Sequence, residues 1–283
     1  MQRRDFLRNT AILGAVMATP STVFGGGKAM GKYKNQNIIE ERVEIEGIPC
    51  LRFYPSETSG FVRPFPTVFY YHGWSSEKNK QKLMGYVFST LGYEVILPDA
   101  VHHGERNKFE DYDKALNEFF LPTIMQNLAE FSVLKDYAVK HCNADKNRLA
   151  VSGHSMGGFT TAGIFTHNPS VKTAVIFNGA CDWQNAILQI EKEYDEAHIE
   201  FDEATKKADP AQNIGKLLNR PLFLLHGIKD SLVSYKIQKQ FYDSTLPLYK
   251  NKELLKLMSV ERMNHYISIQ MLDEAILWLN ENL

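Results

Sequence analysis

A chain of 283 residues, 44% hydrophobic and 23% charged, has the length of one α/β domain of about 250 residues with short additions, so two folds of that size are not expected. A net charge of −1 without a basic patch argues against nucleic acid as a partner. Cys50, Cys142 and Cys181 are far apart and form no Cys-x-x-Cys pair or Cys/His cluster; they are expected as small core residues, and neither a metal nor a cofactor is expected.

Residues 1–30 are expected to lie outside the fold. They open Gln2-Arg3-Arg4-Asp5-Phe6-Leu7-Arg8, continue as a weakly apolar run from Thr10 to Met17, and reach Pro20 and Gly25-Gly26-Gly27. The paired arginines before Phe6-Leu7 resemble a twin-arginine export signal, which implies a periplasmic or extracellular protein from which this segment is removed. The apolar run falls short of the roughly 20 residues a spanning helix needs, and no cysteine stands near a cut, so no stable membrane anchor is expected. A cut before Lys28 removes Arg3, Arg4, Arg8 and Asp5 and takes the net charge from −1 to about −3.

From Glu41 to Phe53 polar and apolar residues alternate around Glu46-Gly47, the pattern of an antiparallel hairpin at a sheet edge. Thr67-Val68-Phe69-Tyr70-Tyr71 reads as a buried strand running into His72-Gly73-Trp74. Glu77 to Leu91 reads as a helix stopped by Gly92, and Tyr93 to Pro98 as the next strand. The following Asp99 to Arg106 stretch holds His102, His103, Glu105 and Arg106. No third partner is spaced to complete a metal site, so a hydrogen-bonded turn near the pocket is expected. A helix is expected to begin near Pro122, with Ile124, Leu128, Phe131, Val133, Leu134 and Tyr137 as its apolar face.

Asn147 to Ser152 is a short apolar strand, and Met156 to His167 has the length of a helix. Between them Gly153-His154-Ser155-Met156-Gly157 makes a sharp turn. A side chain on so tight a turn needs small residues two positions either side, and Gly153 and Gly157 stand there. The hydroxyl of Ser155 then stands clear of the sheet, at the positive end of a helix that suits a developing oxyanion. That arrangement is a nucleophile elbow. Val171 to Asn178 is the next strand, and strands alternating with helices imply a mostly parallel sheet flanked by helices. Residues 182–217 break the rhythm with two helical segments, Trp183 to His198 and Glu203 to Leu218. Their many acids, Glu191, Glu193, Asp195 and Glu196 among them, read mostly as a solvated face. Pro221 to Gly227 and Leu255 to Val260 are the last strands, and a final helix runs from Ile267 to Leu283.

Gly-x-Ser-x-Gly-Gly resembles the elbow of the α/β-hydrolase superfamily in its prolyl-oligopeptidase-like and dienelactone-hydrolase-like branches, and His-His-Gly-Glu-Arg is similar to the loop of a group of small bacterial esterases. The resemblance covers about Asn37 to Leu283. It implies an α/β-hydrolase fold with a small helical lid at 182–217, after the sixth strand. It also implies a triad in the order Ser155, Asp230, His265, with Asp182 as the alternative acid, and an oxyanion hole from the N–H groups of Trp74 and Met156. His72 occupies a position that is structural in the superfamily; His72, Gly73 and His103 are possible pocket lining. The expected function is that of an exported serine carboxylesterase taking small to medium acyl esters as its only expected partner. A peptidase of prolyl-oligopeptidase type and a binding protein that kept the fold remain open, as does the oligomeric state.

Overall fold

One edge of the sheet is a hairpin. In the computed structural model, which describes residues 37–142, 144–193 and 197–283, β1 (Ile38–Ile45) and β2 (Ile48–Pro55) pair antiparallel, with Ile45 opposite Ile48. Glu46 and Gly47 turn between them at φ 48° and 80°. Two central residues at positive φ give the turn a twist that matches its strands, which is why glycine follows the acid there. The export segment expected at residues 1–30 lies outside the described residues.

Six more strands complete the sheet: β3 (Phe65–Tyr71), β4 (Glu94–Pro98), β5 (Ala144–His154), β6 (Thr173–Phe177), β7 (Leu222–Gly227) and β8 (Leu255–Val260). The order is β1-β2-β4-β3-β5-β6-β7-β8, antiparallel where β2 meets its neighbours and parallel from β4 onward. Every residue of β4, β6 and β7 is buried, as in a parallel sheet covered on both faces. One apolar cluster includes Phe69, Phe131, Val151 and Leu224, and a second includes Val68, Phe88, Val175 and Trp278. All three cysteines are buried free thiols, as expected of core residues.

Helix α1 (Lys82–Thr90) starts later than the sequence suggests, because residues 78–81 form a 3-10 turn. The reason is Lys78. Its side chain is fully buried between Asp99 and Glu105, at 2.5 and 2.6 Å, and its backbone N–H donates to Asp99 Oδ1. Helix α2 (Tyr112–His141) differs more: it begins ten residues before Pro122, which sits in its interior. Asp111 starts it by accepting from the N–H groups of Asp113 and Lys114, and Ala115, Phe120 and Leu121 bury one side of the early turns. Capping and burial there outweigh the one backbone bond that proline removes. Val133 is exposed and so does not belong to the apolar face.

Helix α3 (Met156–His167) has the bounds the sequence suggests. After β6 come α4 (Trp183–Glu193), α5 (Glu203–Ala208) and a 3-10 segment at Pro210–Lys216, shorter pieces than expected. Asp209, extended at ψ 122° before Pro210, ends α5, since proline bars the helical region to its predecessor. The buried Asp209 carboxylate accepts from the N–H groups of Trp183, Gln184 and Ala211, tying these pieces together. A third apolar cluster joins Trp183, Ile187 and Ile190 of α4 to Trp74 and Met156. Helices α6 (Tyr235–Thr245) and α7 (Ile269–Asn282) complete the fold.

Candidate active site

Ser155 stands between β5 and α3 at φ 59° and ψ −122°, a region that non-glycine residues rarely occupy. Its neighbours explain how it is held there. A Cβ on Gly153 would strike the Gly157 carbonyl, and one on Gly157 would strike the carbonyl of Tyr71. Neither position admits a side chain, so the glycines of the motif let β5, α3 and the end of β3 close together. Ser155 N–H donates to the Phe177 carbonyl at 3.0 Å, and its own carbonyl accepts from Gly158 and Phe159. Met156, at the first helical position, keeps its N–H out of the helix's own bonding.

Gly73 lies against the elbow: a Cβ built on it would come 3.2 Å from Ser155 Cβ. The orientation of the Gly73–Trp74 peptide follows from the groups around it. Ala100 N–H donates to His72 Nε2 at 3.0 Å, so the ring hydrogen is on Nδ1, which donates to the Gly73 carbonyl at 2.8 Å. Ser76 N–H donates to the same carbonyl at 3.2 Å. Because a trans peptide points its C=O and N–H in opposite directions, fixing the carbonyl aims the Trp74 N–H the other way. Burial lowers the pKa of His72, and both its ring nitrogens bond to backbone. His103 is fully buried, packs edge-on against Trp74 at 5.0 Å between ring centres, and is pushed down to about 3 by burial. These two rings support the Trp74 turn from beneath, while His102 is the partly exposed member of the loop.

Asp230 follows β7 and His265 follows β8. Their contact is direct: His265 Nδ1 donates to Asp230 Oδ2 at 2.7 Å. The other ring nitrogen, Nε2, is buried and has no hydrogen-bond partner among the described residues. The ring of His154, the residue before Ser155, lies 4.7 Å from that of His265 and so brings the imidazole to the elbow. Asp230 Oδ1 accepts from the N–H groups of Leu232 and Val233. Burial alone would raise the Asp230 pKa, but His265 and His226 outweigh it and hold the carboxyl well below the usual range. Asp182 has another use, accepting from Asn185 at the start of α4.

A sequence model of the prolyl oligopeptidase family matches residues 86–282. The chain belongs to this family. It is a serine hydrolase on the α/β-hydrolase fold. The esterase candidate YitV of Bacillus subtilis is 28% identical over 249 residues, 84% of this chain and 96% of that one. The esterase YjfP of Escherichia coli is 27% identical over 252 residues, 87% and 99% of the two chains. A solved puromycin-hydrolysing peptidase of Mycobacterium tuberculosis matches with a TM-score of 0.66 at 19% identity, over 90% of this chain and 41% of its own.

In this prolyl oligopeptidase family member, the structure also brings to the site residues that the sequence did not single out. Asn264 Oδ1 accepts from the N–H groups of Ser231 and His265, fastening the Asp230 loop to the His265 loop. Asn178, at the end of β6 with φ 46°, accepts from Gly227 N–H and donates to the Tyr266 carbonyl. His226, in β7, brings its Nε2 to 3.3 Å from Asp230 Oδ2, the oxygen that also meets His265. The only signal in the sequence was their place at or just past strand ends, where this fold gathers its functional side chains.

Proposed function

We propose that the protein is an exported carboxylesterase acting on small to medium acyl esters through Ser155, His265 and Asp230. The observation that carries this reading is the 2.7 Å contact from His265 Nδ1 to Asp230, which leaves Nε2 as an unpartnered acceptor beside the elbow. In the proposed reaction Ser155 Oγ attacks the ester carbonyl while His265 Nε2 takes its proton, and Asp230 stabilises the imidazolium. The oxyanion rests on the N–H groups of Trp74 and Met156. His265 returns the proton to the leaving alcohol, then activates the water that hydrolyses the acyl-enzyme.

Family membership alone favours a peptide equally well. An ester is preferred because the two relatives named as esterases match this chain over nearly their whole length, whereas the peptidase matches over less than half of its own. The α4–α5 segment is read as a lid, and export rests on Arg3-Arg4 and the run that follows.

The test is hydrolysis of p-nitrophenyl esters of increasing acyl length beside aminoacyl p-nitroanilides, by wild type and Ser155→Ala, using enzyme recovered from the periplasm and sequenced at its N-terminus. Ester turnover that falls roughly 10⁴- to 10⁶-fold in the variant supports the proposal. Turnover of anilides alone moves the assignment to peptides. Equal rates for the two proteins remove Ser155 from the chemistry, and an intact Met1 removes signal cleavage.

A further inference from the structure

The carboxylate of Asp230 is shared by two imidazoles. His265 meets Oδ2 at 2.7 Å, and on the same oxygen stands His226 Nε2 at 3.3 Å. His226 Nε2 also lies 2.9 Å from the Val233 carbonyl. Both neighbours of Nε2 are oxygens that only accept, so this nitrogen carries the ring hydrogen, bonded to the Val233 carbonyl with Asp230 Oδ2 close beside it. Nδ1 is buried and has no hydrogen-bond partner among the described residues. The His226 side chain is only 1% exposed, and that of Asp230 is 0%.

We propose that His226 is a positioning residue for the hydrolytic reaction, holding the Asp230 carboxylate so that it presents Oδ2 to His265. This inference rests on the assignment of Ser155, His265 and Asp230 made above. The geometry closes a ring. His226 sits in β7, its Nε2–H reaches forward to the Val233 carbonyl, and the Val233 N–H reaches back to Asp230 Oδ1. The loop that carries Asp230 is thereby stapled to its own strand. With Leu232 and Val233 N–H on Oδ1 and two imidazole N–H groups around Oδ2, the carboxylate has donors on both oxygens and little freedom to rotate.

There is an electrostatic side to the same contact. An N–H donor on Oδ2 draws negative charge away from the oxygen that also faces His265. Without that donor the carboxylate keeps more negative charge beside His265 and favours the charged ring over the neutral base, which moves the acidic limb of the rate to higher pH. The other titratable rings packed here are His154, against His265, and Tyr235, 5.9 Å from His226. Neither is hydrogen-bonded to Asp230.

The experiment compares wild type, His226→Leu and His226→Gln, with active sites counted by a fluorophosphonate that labels Ser155 and rates expressed per labelled site. In His226→Gln the amide nitrogen stands near the place of Nε2 and retains a donor. The expected result for His226→Leu is a loss on the order of tenfold in kcat with KM little changed, and an acidic limb of kcat/KM moved to higher pH. His226→Gln is expected to recover most of the rate and return the limb toward wild type. Wild-type rate and limb in His226→Leu overturn the proposal while leaving the Ser155 reading intact. Equal losses in both variants with an unmoved limb overturn it too, since they describe packing alone. Failure of the probe to label Ser155 in wild type overturns this inference together with the reading beneath it.

Discussion

Ser155 holds a backbone conformation that costs about 1–3 kcal/mol, and the surrounding structure has to impose it. It does so through contacts that leave no room for a single carbon. A Cβ at Gly157 would run into the main chain at Tyr71 and His72, at the very end of β3. Main chain in a central strand cannot rotate aside as a side chain can. Gly157→Ala is therefore expected to destabilise the protein by about 3 kcal/mol or more, read as a lowered denaturant midpoint, and to cost esterase rate per folded molecule. Gly215→Ala, where a Cβ would meet nothing within 4 Å, serves as the control and should stay within about 0.5 kcal/mol of wild type. A normal midpoint for Gly157→Ala would contradict the packing described for the elbow. The role of these glycines was legible in the sequence because it depends on residues two positions away along the chain. The role of His72 was only half legible: its structural place followed from the resemblance, while its bond to the Gly73 carbonyl needed the turn itself.

At the scale of elements, the turn after β3 and the loop after β4 are bound by ion pairs. Lys78 lies between Asp99 and Glu105, Arg42 reaches Glu105, and Arg106 pairs with Glu130 of α2 through both its terminal nitrogens. Lys78 and Asp99 are fully buried, so removing either would leave an uncompensated charge, whereas Arg42 is mostly exposed and contributes little. Helix α2 is the element that the sequence placed least well. Proline is a start signal by propensity, and the stronger cap at Asp111 lay eleven residues earlier among charged and aromatic residues with little helical periodicity. Since Pro122 is exposed and interior to the helix, Pro122→Ala is expected to restore one backbone hydrogen bond and raise stability by about 1–3 kcal/mol. Thermal unfolding of the variant measures this; a lowered midpoint would mean that the proline's ring or bend is needed by its neighbours.

For the whole molecule, buried titratable groups set how stability depends on pH. Burial lowers the pKa values of His72, His103, His154 and His167, those of His103 and His154 to about 3. A group depressed in the folded state contributes stability that is full above its ordinary value, about 6.5 for histidine, and is lost as pH falls toward the folded value. Burial has the opposite effect on two carboxyls, raising Glu94 to about 7 against the pull of Arg52, and Asp209 to about 6 against its N–H donors. Their contribution is present below their ordinary values and is lost as pH rises through about 6 to 7. The imidazoles outnumber these carboxyls, so the unfolding midpoint is expected to fall as pH is lowered from about 6.5 to about 4. A midpoint that rises over that interval would show that the carboxyls dominate.

What the sequence by itself determined is the part carried by short-range pattern. The elbow at Ser155, the hairpin at Glu46-Gly47 and the alternation of strands with helices all express steric and hydrophobic rules acting over a few residues. The pairing of Asp230 with His265 was also legible, through resemblance. Only the tertiary structure decided which side chains surround Asp230. His265 is 35 residues from it along the chain, and Asn178, through its bonds to Gly227 and Tyr266, joins segments 49 and 88 residues apart. Such contacts depend on which strands lie side by side and how far each loop folds back, and a hydrogen bond formed or missed over a few tenths of an ångström leaves no trace in the order of residues.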